Sequence, residues 1–262
     1  MFRSLYTAAS GMSAQQTNLD NIANNLSNAN TAGFRKRRVQ FQDLIYQNTV
    51  TPGSAATQQT VSAGLQIGLG TRAAATEILQ SQGDFQTTGN TFDVAIQGNG
   101  YFQVLTPTGQ TAYTRSGSFH LDSSGNIVTS DGDALQPSIT IPADATSVTI
   151  GSDGTVSVTL PNQTASQQIG QIQLATFPNP GGLNSVGANL LLPTSSSGDA
   201  ITGNPGGSEG LGTLLQGSLE QSNVNTVEEF IQMILAQRSY EANSQVAKAA
   251  DQMFQEVNQL GK

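Results

Sequence analysis

Helical sequence patterns stand at both ends of this 262-residue chain, and strand and turn patterns fill the middle. An isolated amphipathic helix leaves its apolar stripe in water, so the two ends must pack on each other or on the ends of other copies. The sequence therefore predicts an α+β protein. Its N- and C-terminal helices would form a coiled-coil layer, with a central all-β domain and extended linker segments between them.

The N-terminal helix is predicted from residues that recur at alternating spacings of three and four, which is the heptad spacing of a helix that packs along another. The pattern fades at residues 28–33, where Asn and Gly act as stop signals. The other faces are rich in amides and poor in charge, and this polar surface is either buried between subunits or solvated. The predicted seam consists of Leu5, Ala8, Met12, Gln15, Leu19, Ile22 and Leu26.

The C-terminal helix is predicted to be continuous, because no Pro or Gly interrupts residues 226–260. Asn225 or Thr226 can cap it, and Glu228 and Glu229 suit its first turn. Two core helices of a compact domain are the alternative. Two apolar stripes flank a polar stretch at 237–245: Val227, Phe230, Ile231 and Ile234, then Val246, Ala250, Met253, Val257 and Leu260.

The middle of the chain divides into a polar segment and a run of short strands. The first part of residues 46–75 predicts a long loop, and residues 64–70 predict an extended segment. From Phe92 onward, alternating apolar residues and Gly-containing turns predict a meander of hairpins, and Ile169 to Phe177 predicts a further strand. Residues 178–212 predict a loop.

Tests for chemistry favour a chain without a reactive site. One histidine and no cysteine make a histidine metal site, a triad or thiolate chemistry hard to assemble. Asp122, Asp131, Asp133 and Asp153 stand in Gly-containing turns, but their spacing is wrong for a calcium loop and favours turn chemistry. We therefore predict no catalytic residue, no metal and no cofactor.

Charge and hydropathy limit the classes of partner that this chain can bind. The net charge is -8, and the middle is acidic, which argues against nucleic acid. No apolar run is long enough to insert in a membrane, and the start lacks the apolar core of a signal peptide, so these rules alone predict a cytosolic protein. The basic run at residues 35–38 is expected to pair with acids of the C-terminal segment or of a neighbouring subunit.

Several segments together resemble the axial proteins of the bacterial flagellum, the rod and hook subunits. The pattern LDNIANNLSNANTAGFRK at residues 19–36 is similar to the rod-protein signature. FDVAIQGNGYF at 92–102 and YTRSGSF at 113–119 resemble shared β-domain motifs, and GSLEQSNVN at 217–225 and QRSYEAN at 237–243 complete the set. Within the family, FQDLIYQ at 41–47 and the long segment up to GLQIG at 64–68 favour the distal-rod branch, with proximal rod and hook subunits as competitors.

The resemblance implies a structural protein that self-assembles into a rigid helical tube and transmits torque from motor to hook. It implies terminal helices around a channel, a β-domain outside them, and export by the flagellar type III apparatus without a cleaved signal peptide, which replaces the cytosolic expectation. The implied location is the basal body, in the rod that spans the periplasm. The implied partners are other copies, proximal rod proteins, the hook protein, and the L and P ring proteins as bushing.

These expectations define domains and interface residues. Residues 1–34 and 224–262 would form a terminal helical domain, 35–80 and 190–223 an extended connecting domain, and 81–189 a β-rich outer domain. A carbohydrate-active enzyme and an adhesin-like module remain as less favoured alternatives. The predicted subunit interface comprises Leu5, Met12, Leu19, Ile22, Leu26, Phe34, Val227, Phe230, Ile231, Ile234, Val246, Met253, Val257 and Leu260. A predicted rod-stiffening segment comprises Tyr46, Val50, Val61, Leu65, Ile67 and Leu69.

Overall fold

A computed structural model describes residues 2–50, 55–56, 59–60, 64–161, 165–207 and 210–260. The chain forms two compact units. The first unit is made of Met1–Ser27, Arg37–Glu77 and Asn225–Lys262, and the second of Asn28–Lys36 and Ile78–Val224. Residues 190–223 thus belong to the same unit as residues 81–189. The three-part division drawn from the sequence stays a prediction.

The first unit combines two long helices with small paired strands. β1 pairs with β6, β2 with β5 and β3 with β4, and the last two pairs are antiparallel. The elements are α1 (Phe2–Ser27), β1 (Arg37–Asp43), β2 (Tyr46–Val50), β3 (Ala55–Ala56), β4 (Gln59–Thr60), β5 (Leu65–Gly68), β6 (Thr71–Ile78) and α2 (Thr226–Leu260).

The helix ends follow local sequence signals. α1 stops at Ser27, where the run of Asn and Gly residues begins, and α2 is one uninterrupted helix, as the sequence predicts. The Oδ1 of Asn225 accepts hydrogen bonds from the backbone N–H groups of Val227 and Glu228 at 3.1 and 3.4 Å, so Asn225 is the cap. The predicted caps and the continuous helix are confirmed.

The loop predicted for the first part of residues 46–75 is wrong at residues 46–50, which form β2. Tyr46 pairs with Gly68 and Gln47 with Ile67, so the strand exists because it is held by a partner distant in sequence. The extended segment predicted at 64–70 is observed as β5. Val61 lies outside the described residues.

The second unit is all-β. It contains β7 (Phe85–Thr87), β8 (Val94–Gln97), β9 (Tyr101–Leu105), β10 (Thr111–Thr114), β11 (Phe119–Leu121), β12 (Ile127–Thr129), β13 (Ala134–Gln136), β14 (Ser147–Ile150), β15 (Thr155–Thr159), β16 (Gln167–Gln171), β17 (Leu174–Thr176), β18 (Asn184–Gly187), β19 (Leu190–Leu192), β20 (Ile201–Gly203), β21 (Thr213–Gln216) and β22 (Ser218–Glu220).

The main sheet of this unit has the strand order β11-β12-β13-β9-β10-β19-β18, and β17 joins β9 and β20 beside this path. β14, β15 and β16 form a second sheet, while β21 pairs with β8 and β22 with β7. All these pairs are antiparallel, as expected for a meander of hairpins. The observed combination of terminal helices and a central β-domain confirms the α+β class.

The core of the second unit consists of large apolar side chains from both sheets. Phe102 and Phe119 are buried and meet edge to face, with ring centroids 5.0 Å apart. Val104, Val156 and Leu174 are fully buried around them. This buried apolar core stabilises the fold of the second unit within a single chain.

Two predictions about the later part of this unit need correction. The strand expected over Ile169 to Phe177 is interrupted, because β16 ends at Gln171 and β17 begins at Leu174. The loop expected at 178–212 contains β18, β19 and β20. β18 and β19 pair with each other as a local hairpin, which the sequence prediction missed. Their sheet neighbours are more distant in sequence, with Leu191 opposite Tyr113 and, for β20, Thr202 opposite Ala175, so local composition does not reveal those pairings.

Candidate assembly surface

The helices of the first unit pack antiparallel to each other. Asn25, near the end of α1, contacts Glu229 in the first turn of α2, while Gly11 lies against Asn243 further along it. A Cβ built on Gly11 would stand 2.9 Å from the Nδ2 of Asn243, so the helices approach closely there. The close approach depends on small side chains.

The seam between the two helices is built from small and polar residues rather than large apolar ones. Of the described residues that these helices bury, Ile22 alone has a large aliphatic side chain. A seam of this composition removes little apolar surface from water, so it gives little hydrophobic stabilisation. The buried residues are Ala8, Ala14, Ile22 and Asn25 of α1, and Glu229, Ala236 and Ala250 of α2.

Asn25 joins three elements at one end of this seam. Its Nδ2 donates to the backbone carbonyl of Arg37 at 2.9 Å and to Oε2 of Glu229 at 3.2 Å. Its Oδ1 accepts from the backbone N–H of Arg37 at 3.0 Å, and Asn21 donates to the same carbonyl at 2.7 Å. A buried amide satisfied in this way fixes the start of β1 against both helices.

Eight large apolar residues of α2 lie outside the seam. Each is between 47% and 65% exposed. Large apolar side chains exposed in such numbers are typical of a surface that associates with another protein. We call it the outer face of α2, and it consists of Val227, Phe230, Ile231, Ile234, Leu235, Val246, Met253 and Val257. Leu235 was not predicted from the sequence because it falls outside the heptad spacing.

The other predicted interface residues are less exposed. Ile22 is buried within the chain, and Leu5, Met12, Leu19 and Leu26 are partly buried on α1. Phe34 is partly buried in the second unit. The side chain of Leu260 lies outside the described residues. The structure therefore concentrates the exposed part of the predicted interface on α2.

The predicted stiffening segment presents apolar side chains on paired strands. Tyr46, Leu65 and Ile67 are exposed, and Leu69 is partly buried. The side chain of Val50 lies outside the described residues. Phe41 and Ile45, which were not predicted, are exposed just before this segment.

The second unit holds a buried ionic cluster. The carboxylate of Glu220 accepts from Nε of Arg115 at 2.6 Å and from the guanidinium of Arg35 at 2.8 Å, and its side chain is 1% exposed. Arg115 also donates to the carbonyls of Gly100, Ile96 and Gly98. The pairing of Arg35 with an acid of the C-terminal segment was predicted. Arg115 lies in the motif at residues 113–119, but its pairing with Glu220 was not predicted.

The tight path of the chain next to Arg35 requires a glycine. Gly33 has a φ of +71°, and a Cβ there would stand 2.5 Å from the backbone nitrogen of Ser116. Its N–H donates to the carbonyl of Glu220 at 2.8 Å. The signature residues after α1 thus place Arg35 beside Glu220.

Burial and neighbouring charges shift the pKa values of several side chains. Burial lowers the pKa of Arg35; the charge of Glu220 opposes the shift and that of Arg115 adds to it. Burial likewise raises the pKa of Tyr101, whose hydroxyl donates to Oε1 of Gln80 at 2.8 Å. On the first unit, the exposed Arg38 donates to Glu77 at 3.0 Å and, as the largest cause, lowers the pKa of that carboxyl.

Within the described residues, no cluster of His, Cys, Asp and Glu is suited to hold a metal ion. Asp122 accepts hydrogen bonds from the backbone N–H groups of Ser124 and Asn126 at 2.8 Å, which is the turn chemistry predicted for it. Among the described helices, none combines the length and the apolar character of a membrane span.

Comparison with known protein families finds three matches along the chain. Residues 5–35 match the model of flagella basal body rod proteins. Residues 95–158 match the D1 domain of the flagellar hook protein FlgE/F/G, and residues 215–260 match the C-terminal region of flagellar basal body rod FlgEFG proteins. The three matches cover α1, much of the β-domain and α2.

Individual relatives agree over the whole chain. The flagellar basal-body rod protein FlgG of Borreliella burgdorferi is 48% identical over 99% of this chain and 99% of its own length. FlgG of Bacillus subtilis is 44% identical over 99% of each chain. The flagellar hook protein FlgE of Treponema pallidum is 43% identical, but over 49% of this chain and 27% of its own length.

The three matched regions, which hold α1, much of the β-domain and α2, are those of the rod and hook proteins of the bacterial flagellum. The chain belongs to the family of flagellar basal-body rod proteins. The resemblance drawn from the sequence motifs is confirmed, and with it the function of a structural rod subunit.

Proposed function

We propose that this chain is the subunit of the flagellar distal rod, which assembles with other copies into a rigid helical tube that transmits torque from motor to hook. The similarity to FlgG over the full length supports the distal rod over the proximal rod. The hook is less favoured, because the similarity to a hook protein covers about half of this chain.

The observation that carries the proposal is the composition of the helix pair. Its seam is small and polar, whereas the outer face of α2 is large and apolar. An exposed surface of this composition is unfavourable in water until another surface covers it. Copies of the same chain provide that cover in the proposed tube, where the helices form the inner layer.

The predicted interface on α1 belongs to the same proposal. Leu5, Met12, Leu19 and Leu26 retain partial exposure beside the seam, so a neighbouring helix can complete their burial. In this arrangement the small seam sets the spacing of the helix pair, and the larger residues make the contacts between copies.

The paired strands β2 and β5 are proposed to stiffen the rod. Their exposed Tyr46, Leu65 and Ile67 would dock on neighbouring copies and resist sliding between them. A straight shaft must suppress the sliding that a flexible joint requires.

Family membership supports a place in the basal body, next to other rod and hook proteins. The finer partners remain part of the proposal: proximal rod proteins, the hook protein, the L and P ring proteins as bushing, and the type III export apparatus. So does the location in the rod across the periplasm, after export without a cleaved signal peptide.

The assembly surface can be tested with a charge on the outer face. Ile234 is 57% exposed, so Ile234→Asp should leave the subunit folded. In the tube, an unpaired carboxylate would be buried at the interface, which costs several kcal/mol by its order of magnitude. We expect sedimentation and electron microscopy of concentrated protein to show filaments for the unchanged chain and none for this variant.

The matched control is Gln245→Asp, since Gln245 is exposed in the polar stretch of α2 and has no outer-face residue three or four positions away. This variant adds the same charge to the same helix and should still assemble. Normal filaments from Ile234→Asp would contradict the proposed interface.

The stiffening segment can be tested by deleting residues 48–64. The deletion leaves Leu65 and Gln66 as a two-residue loop between Gln47 and Ile67, which are already paired, so the remaining hairpin can close. We expect the shortened chain to polymerise into more bendable or curved filaments. An unchanged persistence length in electron micrographs would place the stiffness in the helical layer alone.

A further inference from the structure

The buried ionic cluster of the second unit has more positive than negative charge. Arg35 and Arg115 share the single carboxylate of Glu220, and all three side chains are at most 10% exposed. Among the described residues that line the adjacent cavity, none is acidic. A buried charge without a counter-ion is unfavourable, so this cluster can gain from one further negative charge.

The hydrogen bonds of Arg35 also indicate room for a further negative charge. A guanidinium carries five N–H donors. The guanidinium of Arg35 donates to the carbonyl of Ser81 and to Glu220, while its Nε is buried and has no hydrogen-bond partner among the described atoms. Arg35 therefore lacks an acceptor as well as part of its countercharge.

A cavity of about 150 Å³ lies beside this cluster. Arg35 and Arg115 line it together with Tyr101 and Gln80, and Gln80 is itself exposed, so the cavity can be reached from solvent. Since one water takes about 30 Å³, the space suits a small anionic group with a few waters. It is smaller than the roughly 300 Å³ at which pockets for larger ligands begin.

We propose that this cavity is an anion-binding site for a carboxylate, held by Arg35 and Arg115. A carboxylate supplies one negative charge, which balances the cluster, and its planar pair of oxygens matches the donor geometry of a guanidinium. The carboxylate can come from an acidic side chain of a second copy or from a small free acid. The site is independent of the proposed assembly through the helices, because every residue that forms it belongs to the second unit.

The test uses dilute full-length protein, so that the melting temperature reflects anion binding to the subunit and not assembly. Sodium acetate replaces sodium chloride at constant ionic strength, and the melting temperature is followed. We expect acetate to raise the melting temperature progressively with concentration, since a ligand that binds the folded state stabilises it.

A variant supplies the missing charge from within the chain. Gln80→Glu places a carboxylate on the cavity wall, where it still accepts the hydrogen bond of the Tyr101 hydroxyl. We expect it to raise the melting temperature by a few degrees and to remove the response to acetate. The matched control is Gln86→Glu, since Gln86 is also exposed and also accepts one side-chain hydrogen bond, from Gln221.

The control should melt like the unchanged chain and keep the acetate response. The proposal is overturned if Gln80→Glu melts like Gln86→Glu or keeps the same acetate response as Gln86→Glu. In assembled filaments, loss of the acetate response identifies a neighbouring copy as the source of the carboxylate, and a retained response identifies a free acid. Failure of this site would leave filament formation intact, so it is distinguishable from failure of the proposed function.

Discussion

The two units of this protein distribute their side chains in opposite ways. The β-rich unit buries Phe102, Ile96 and Leu174 completely, whereas the two helices of the other unit bury mainly alanines, an asparagine and Ile22, and leave the large residues of the outer face of α2 exposed. The first arrangement is complete within one chain. The second gains little from its own burial, and in the proposed tube it would gain further stability from contact with other chains. If the proposed interface holds, the helical unit keeps its hydrophobic surface for assembly.

The largest effect is expected in the β-rich core. Phe102→Ala removes a fully buried ring that meets Phe119 edge to face, and it should lower the free energy of unfolding by about 3–5 kcal/mol. Urea denaturation measures the loss. Phe85→Ala is the control, because Phe85 is 37% exposed in the same unit and should cost much less. Equal losses would mean that the core is not where the structure places it.

An intermediate effect is expected at the polar seam. Asn25→Ala leaves the N–H and the carbonyl of Arg37 without the bonds they make to Asn25, at a cost of about 1–3 kcal/mol. Amide exchange of α1 should show faster opening. Gln16→Ala, at an exposed amide of the same helix, should have little effect. If both variants exchange alike, Asn25 does not hold this end of the helix pair.

The smallest effect on the isolated subunit is expected on the outer face of α2. Ile231→Ala should change the free energy of unfolding by no more than about 0.5 kcal/mol, because Ile231 is 52% exposed. The same change should raise the protein concentration needed for filaments, since it removes apolar contact area. A large loss of subunit stability without any effect on assembly would contradict this prediction, because Ile231 would then stabilise the subunit and not the contact between copies.

Local signals in the sequence were sufficient to predict the two helices and their ends. Asn225 caps α2 as its side chain predicts, and the run of Asn and Gly residues ends α1 at Ser27. The hairpin motifs around Tyr101 and Phe119 also predicted their strands, because apolar alternation and turn glycines are local properties.

Pairings between distant residues were beyond local signals. The pairings of β2 with β5 and of β19 with β10 were missed because the partners, Ile67 for Gln47 and Tyr113 for Leu191, are set by the tertiary fold. The seam shows a different limit. Apolar spacing marks residues that become buried, but it does not say whether the chain itself or another copy covers them, so Ile22 and Ile234 received the same prediction.

The most direct test of the proposed interface is to measure whether assembly buries the outer face of α2. The chain has no cysteine, so a single introduced thiol reports one position. Ile231→Cys places it on the outer face, and Ser123→Cys places a control on an exposed turn of the β-rich unit.

Reaction with a maleimide is compared in dilute subunits and in filaments. The proposed interface predicts that both thiols react readily in dilute subunits and that Ile231→Cys alone becomes protected in filaments. Equal reactivity of Ile231→Cys in subunits and in well-formed filaments would contradict it, because the outer face would then remain in water after assembly.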